Sequence, residues 1–127
     1  MNVYTSYFGN SRKFPKTMAQ VAICAKLPSY FSGPQYKPVA PTYEILMKYK
    51  QDGDQKSYVE KYKKDVLSKL DPHDVFEDIV RISGVGSPIS LKRDIVLLCY
   101  EAPNDFCHRH LLAEWLNENG YEVKEFK

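Results

Sequence analysis

Residues 95–110 read IVLLCYEAPNDFCHRH, and this stretch decides both the fold and the candidate site. Its first six residues are apolar and include β-branched side chains, which predicts a buried strand. A short loop follows, and then a thiol, two imidazoles and a guanidinium at the start of a predicted helix. Because open α/β sheets bind ligands just beyond the carboxyl ends of their strands, this stretch predicts a functional site.

Three further strands are predicted outside this stretch. Residues 2–8 are rich in β-branched and aromatic side chains and stop at a Gly-Asn pair, and residues 19–24 are almost fully apolar. Residues 121–126 alternate between polar and apolar side chains, which is typical of an edge strand. Alternation in the strand 95–101 places its odd-numbered residues on one face and its even-numbered residues on the other.

Four helices are predicted between these strands. Thr42 is a suitable N-cap for a helix that ends near residue 51, and a second helix covers 55–70. An Asp-Pro pair at 71–72 starts a third, and a fourth runs from about residue 106 to 119. The chain is therefore predicted to be a single α/β domain over residues 1–127. We expect three layers, with a mostly parallel sheet of about four strands and helices on both faces.

Residues 26–42 are predicted to form an ordered loop. Four prolines and a glycine prevent a long regular element there, yet several aromatic side chains make the segment too apolar for a linker. Loops of this length inside a compact domain are often functional, so the segment is interpreted as a lid or a binding wall.

Composition restricts the class of protein. With 43% hydrophobic and 27% charged residues the chain is typical of a globular domain, and no segment resembles a signal peptide or approaches the roughly 20 apolar residues of a membrane span. Three cysteines, an odd number, argue against a disulfide framework and favour a reducing compartment, so a cytoplasmic protein is expected. Residues 1–43 carry five basic and no acidic side chains, which fits either a phosphate-bearing partner or a solvated surface.

Two side chains near the end of the central strand, Cys99 and Glu101, indicate different roles. Cys99 has apolar neighbours, and a thiol in that position is more often a small buried hydrophobe than a reactive group. Glu101 ends the same strand and needs a partner, which His108 or Arg109 could supply across the loop. A buried carboxyl group of this kind is a candidate general acid or base.

Cys107 is the candidate nucleophile. With Asp105 as the predicted N-cap, Cys107 falls in the first helical turn, where the helix dipole and unpaired backbone N–H groups stabilise a thiolate. The adjacent His108 and Arg109 strengthen that interpretation, and the same surroundings would bind an anion. An inert packing role for Cys107 is an equal alternative.

The three basic residues after Cys107 are assigned different roles. His108 precedes two leucines on the inward face of the helix, so it should point to the sheet, in a structural or a catalytic role. His110 is expected to be exposed and incidental. Arg109 is the candidate clamp for a phosphate or carboxylate.

Metal and nucleotide motifs are weak. The separation of Cys99 from Cys107 is too long for the tight Cys pair of a structural zinc site, so no metal or cofactor is assigned. The Gly-Val-Gly at 84–86 follows a predicted helix and lacks the third glycine of a dinucleotide fingerprint. Tyr30 and Phe31 could stack on a base, although packing of the loop explains them equally well.

Three segments together resemble the domain-of-unknown-function family numbered 488 (DUF488). They are residues 3–10, VYTSYFGN, the loop 28–33, PSYFSG, and the strand end Leu-Leu-Cys-x-Glu at 97–101 followed by Cys-His-Arg at 107–109. The resemblance covers nearly the whole chain and implies a small α/β domain whose motif residues cluster at one site. Larger members end the second strand in Asp-x-Arg where this chain has residues 24–26, CAK, so the role of that arginine falls to Lys26 or is missing.

The first hypothesis is a thiol or acid–base enzyme, a hydrolase or transferase, of nucleotide or nucleic-acid metabolism that acts on a small anionic substrate. Its candidate catalytic residues are Cys107, Glu101 and His108, and its candidate substrate-binding residues are Arg109, Lys26, Ser6, Tyr30 and Phe31. The second is a non-catalytic module that holds a nucleotide or a nucleic-acid end with the same residues. The third is a protein-interaction factor that uses the loop 30–41. No membrane partner is expected, and the sequence leaves the oligomeric state open.

Overall fold

The computed structural model describes residues 2–84, 93–100 and 107–126. Four parallel strands form one sheet in the order β2-β3-β1-β4. The strands are β1 (Val3–Tyr7), β2 (Ala19–Ala22), β3 (Ile95–Cys99) and β4 (Val123–Glu125). The predicted α/β class, the parallel sheet of four strands, the buried central position of β3 and the edge position of β4 are confirmed.

Four α-helices connect the strands. They are α1 (Tyr43–Asp52), α2 (Gln55–Asp65), α3 (Pro72–Ser83) and α4 (His108–Glu118), and short 3-10 helices cover Phe8–Lys13, Lys37–Val39 and Leu67–Lys69. The side chain of Thr42 accepts a hydrogen bond from the backbone N–H of Ile45, as expected of an N-cap. Helix α2 ends earlier than the predicted residue 70, because the chain tightens into a 3-10 turn.

The loop 26–42 is ordered by contacts with the end of β2. Gln35 forms an isolated parallel bridge with Ala22, and its side-chain amide donates hydrogen bonds to the carbonyls of Cys24 and Ala25 at 3.0 and 3.1 Å. Apart from this bridge and one 3-10 turn the loop contains no regular element, as its prolines predict. The loop is therefore attached to the edge of the sheet nearest β2.

The two faces of the sheet are covered by different kinds of structure. On one face Ile95 and Leu97 belong to a large cluster that takes buried side chains from all four α-helices. On the other, Val96 and Leu98 pack with Phe8, which belongs to a 3-10 helix, and with loop residues including Phe14 and Met18. The expected alternation of β3 is thus confirmed. The prediction of helices on both faces also holds, but on the second face the helix is a 3-10 helix.

Connection handedness explains this arrangement. The β2–β3 and β3–β4 connections advance in the same direction along the sheet, so right-handed crossovers place their helices on the same face. The β1–β2 connection runs in the opposite direction and must cross the other face. It contains a 3-10 helix and loop instead of an α-helix. None of the helices in the described ranges has the length and apolar character required to cross a membrane.

Candidate functional site

A cavity of about 300 Å³ lies at the carboxyl ends of β2 and β3, beside the first residue of α4. This is the position at which parallel α/β sheets bind ligands. Its polar lining residues are three cysteines, one histidine and two lysines: Cys24, Cys99, Cys107, His108, Lys26 and Lys50. The remaining lining is apolar or aromatic: Ala25, Pro41, Leu46, Tyr49, Tyr58 and Tyr100.

Two of the thiols are joined. Cys99, the last residue of β3, and Cys107, the N-cap of α4, meet sulfur to sulfur as a disulfide, and their Cα atoms lie 7.5 Å apart. The odd cysteine count argues against a disulfide framework, and the structure joins this single pair. Three cysteines can form one disulfide, and Cys24 is the one that lies outside it.

Helix α4 begins at His108, two residues after the start predicted from the sequence, so Cys107 itself occupies the N-cap position. The predicted N-cap, Asp105, and the candidate acid Glu101 both lie outside the described residues. Cys107 is almost completely buried, although its sulfur still lies in the cavity wall.

His108 points to the sheet, as predicted, and is held by a backbone carbonyl. Its Nε2–H donates a hydrogen bond of 2.8 Å to the carbonyl oxygen of Ile23, which leaves Nδ1 as the acceptor nitrogen. That Nδ1 lies 3.7 Å from the Sγ atom of Cys107. Burial lowers the pKa of His108 to about 4, so the ring is neutral at physiological pH. His110 is exposed, as expected.

Arg109 is fully buried beneath the cavity, where its guanidinium has internal partners. Nε and one terminal nitrogen donate to the carboxylate of Glu125 at 3.2 and 3.0 Å, and the other terminal nitrogen donates to Cys99 Sγ at 2.9 Å. Thr5 also donates to Glu125, at 2.7 Å. Arg109 is predicted to be an anion clamp, but Glu125 compensates its charge, and its guanidinium also contacts the sulfur of Cys99 and the ring of Tyr7.

The two lysines reach the cavity from different elements. Cys24 Sγ and the Tyr100 hydroxyl both donate to the backbone carbonyl of Lys26, at 3.3 and 2.7 Å, which fixes the start of the loop 26–42 at the cavity mouth. Lys50 lies on α1, one helical turn beyond Leu46, and both line the cavity. Both lysines are exposed, so their charges face solvent at the rim.

Three predicted binding residues lie elsewhere. Ser6 is buried and accepts a hydrogen bond from the side-chain amide of Asn10 at 3.1 Å. Tyr30 and Phe31 pack on Phe8 at the other face of the sheet and line a separate surface depression near Arg93. The structure therefore brings together Cys107, His108 and Lys26, with Arg109 behind them, and separates the other three.

Sequence reasoning missed the carboxylate that matters most to Arg109. Glu125 lies two residues after Val123, and in an alternating strand the two share a face. Since Val123 is in the core, this spacing could have identified Glu125 as an inward-facing carboxylate. No sequence pattern could have identified Lys50, because its place at the cavity depends on how α1 packs beside the loop 26–42.

Among the described residues, no group of three or more histidine, cysteine or acidic side chains is arranged to hold a metal ion. No curated protein and no solved structure matches the chain significantly. A family model, DUF488-N3a, described as the active DUF488-N3 subclade, matches residues 7–120. This match covers most of the sequence, including β2, β3 and α4, which surround the cavity. The chain therefore belongs to the DUF488 family.

Proposed function

We propose that this protein is a thiol enzyme that acts on a small anionic substrate of the nucleotide type, with Cys107 as the nucleophile. One observation carries the proposal: the sulfur of Cys107 faces the acceptor nitrogen of an oriented, neutral histidine in the wall of a cavity of about 300 Å³. A nucleophile, a base within reach of it and a third group that orients the base constitute the arrangement expected of nucleophilic catalysis.

His108 supplies the base in this proposal. The carbonyl of Ile23 fixes the proton on Nε2, so the lone pair of Nδ1 is directed at Cys107. When the two cysteines are reduced, the Cys107 S–H donates to Nδ1. The sulfur attacks an electrophilic centre of the substrate as this proton passes to His108, and the N-terminus of α4 stabilises the negative charge that develops on sulfur. The protonated His108 then returns the proton to the leaving group.

The residues at the rim and in the walls of the cavity favour a substrate that has both a negatively charged group and an aromatic base. Lys26 and Lys50 place two exposed ammonium groups at the mouth, where a phosphate could contact both. Tyr49, Tyr58 and Tyr100 supply aromatic surface for a base. Arg109 has no part in substrate binding here, because Glu125 already compensates its charge.

A second candidate function, a non-catalytic nucleotide-binding module, is favoured by the disulfide. When Cys107 is bonded to Cys99 it cannot act as a nucleophile, yet the cavity and both lysines remain. The two candidates share a ligand and differ in the role of the thiol. Binding and thiol reactivity must therefore be measured separately.

The binding experiment compares a nucleoside monophosphate with its nucleoside by calorimetry. We expect the monophosphate to bind more tightly, and Lys26→Ala or Lys50→Ala to weaken its binding by about fivefold, corresponding to roughly 1 kcal/mol for an exposed charge pair. Lys48→Ala is the matched control, since Lys48 lies on the same helix and pairs with Asp52 at 2.7 Å. Equal affinity for nucleoside and monophosphate would refute the anionic substrate.

The reactivity experiment follows alkylation of the reduced protein by iodoacetamide at neutral pH, resolved by peptide mass spectrometry. We expect Cys107 to react about tenfold faster than Cys24, which lies in the same cavity, because of its helix N-terminus and adjacent base. His108→Gln should remove most of that difference, and a bound monophosphate should protect Cys107. If Cys107 reacts no faster than Cys24, the binding module is the better description.

A further inference from the structure

We propose that Cys99 and Cys107 form a reversible dithiol–disulfide couple that exchanges with acidic low-molecular-weight disulfides entering the cavity. This activity goes beyond the proposed function, since it needs no nucleotide-type substrate. Three features of the described residues carry it: the contact between the two sulfurs, the buried cation beside one of them, and the position of both in the wall of an open cavity.

The surroundings of the pair stabilise its reduced form. A guanidinium nitrogen of Arg109 lies 2.9 Å from Cys99 Sγ and donates to it, which favours a thiolate at Cys99. Cys107 has the N-terminus of α4 and the acceptor nitrogen of His108 at 3.7 Å. Groups that stabilise the thiolate make a disulfide easier to reduce, so this pair has the surroundings of an exchanging disulfide and not of a permanent one.

Glu125 has a defined part in this arrangement. Its carboxylate binds two nitrogens of the Arg109 guanidinium and leaves the third to Cys99. The guanidinium is thereby held in one orientation, because a planar fork bound at two points cannot turn away from the sulfur. The ion pair positions a hydrogen-bond donor at a fixed distance from Cys99.

The exchange proceeds in two balanced steps. Cys107 attacks one sulfur of the incoming disulfide while its proton passes to His108, so that a mixed disulfide forms and the first half leaves as a thiol after taking that proton. Cys99 then attacks Cys107 Sγ, the mixed disulfide breaks, and the second half leaves with the proton from Cys99. The protein loses two electrons to the reagent, which becomes two thiols.

The cavity also defines the class of reagent. Lys26 and Lys50 at the rim favour a disulfide that carries carboxylates, and both cysteines line the cavity that such a reagent enters. Oxidation would remove the Cys107 thiolate, so the same couple would switch the proposed thiol chemistry off. Glutathione disulfide meets these chemical requirements and serves as the probe.

The test equilibrates the fully reduced protein with mixtures of glutathione and glutathione disulfide, quenches with acid, and counts thiols by maleimide mass tagging. We expect two of the three thiols to disappear in one two-electron transition, with peptide mapping locating the bond at Cys99 and Cys107. Cys24→Ser should keep the transition. Cys99→Ser should stop at a mixed disulfide that carries one glutathionyl group on Cys107.

Each opposing result has a distinct meaning. Three thiols that persist at every ratio, a bond to Cys24, or a disulfide that resists excess glutathione would each overturn the couple. Peptide mapping of the wild-type chain decides this without any variant, should Cys99→Ser fail to fold. Because no nucleotide is present, these results leave the binding and alkylation experiments untouched.

Discussion

The two faces of the sheet are both buried, but they are filled by different chemistry. The face that carries the four α-helices is aliphatic over most of its area and ends, at the carboxyl edge, in the buried Cys99 and Arg109 and the partly buried Glu125. The opposite face is filled mainly by phenylalanine and tyrosine rings packed edge to face, such as Phe14 against Phe126 with ring centroids 5.3 Å apart.

This difference shows where the fold can hold ionisable groups. A helix N-terminus and a neighbouring strand end offer polar partners to a buried charge, and α4 beside β4 supplies both. The aromatic face, crossed by a 3-10 helix and loop, offers mainly ring edges. Substitutions on the aromatic face should therefore change stability alone, whereas substitutions at the carboxyl edge of the helical face should also change pH dependence and thiol chemistry.

The largest effect is expected from Phe14→Ala on the aromatic face. Phe14 is buried, and its truncation removes the contact with Phe126 and leaves a cavity, which should lower the free energy of unfolding by about 4 kcal/mol. Urea denaturation measures this loss. The relative alkylation rates of Cys107 and Cys24 in the folded protein should stay unchanged.

Tyr43→Ala is the control, because Tyr43 is 75% exposed and its truncation should change stability by no more than about 0.5 kcal/mol. A loss below about 1 kcal/mol for Phe14→Ala would mean that the aromatic cluster contributes little to stability. An altered alkylation ratio would mean that the two faces are coupled.

Glu125→Gln should produce the next largest effect. The substitution keeps the size of the side chain but leaves the buried Arg109 charge without its carboxylate, which should destabilise the fold by about 3 kcal/mol. Glu122→Gln is matched to it, three residues earlier, where an exposed carboxylate pairs with Lys124. That change should leave the free energy of unfolding nearly unchanged, and similar losses for the two variants would show that the Arg109–Glu125 pair is no stronger than an exposed one.

The fold was largely predictable from the sequence because its signals are local. Thr42, the Asp-Pro pair at 71–72 and the alternation in β3 each act through neighbouring residues, and the structure confirms all three. What failed depends on tertiary structure. The coverage of each face follows from the strand order and from the handedness of the crossovers, neither of which the sequence pattern contains.

The candidate site was predictable in part for the same reason. Cys107 and His108 were identified because the start of a helix has a local signature, and Lys26 because it stands where larger members of the family carry the arginine of Asp-x-Arg. Arg109 was predicted to bind a ligand because its true partner, Glu125, lies 16 residues away in strand β4, where no local signal connects the two. Tyr30 and Phe31 were misplaced because composition shows that a loop is aromatic but not which face of the sheet it covers.

The smallest expected effect is a pH dependence that belongs to the helical face. Burial holds His108 neutral with a pKa lowered from 6.5 to about 4, whereas the unfolded chain takes up a proton near the ordinary value. Between these two values the unfolded state binds more protons, so stability falls as the pH decreases. From neutral pH to about pH 5 we expect a loss of about 2 kcal/mol from this residue.

His108→Gln should flatten this part of the stability profile, since glutamine can still donate to the carbonyl of Ile23 but does not titrate. The matched control is Asn119→Ala at the end of the same helix, a change that removes no titratable group and should leave the slope as in the wild-type protein. Urea denaturation at a series of pH values measures all three proteins. Parallel profiles for the wild type and His108→Gln would mean that folding does not shift the pKa of His108, which would contradict the buried, neutral imidazole on which the proposed mechanism rests.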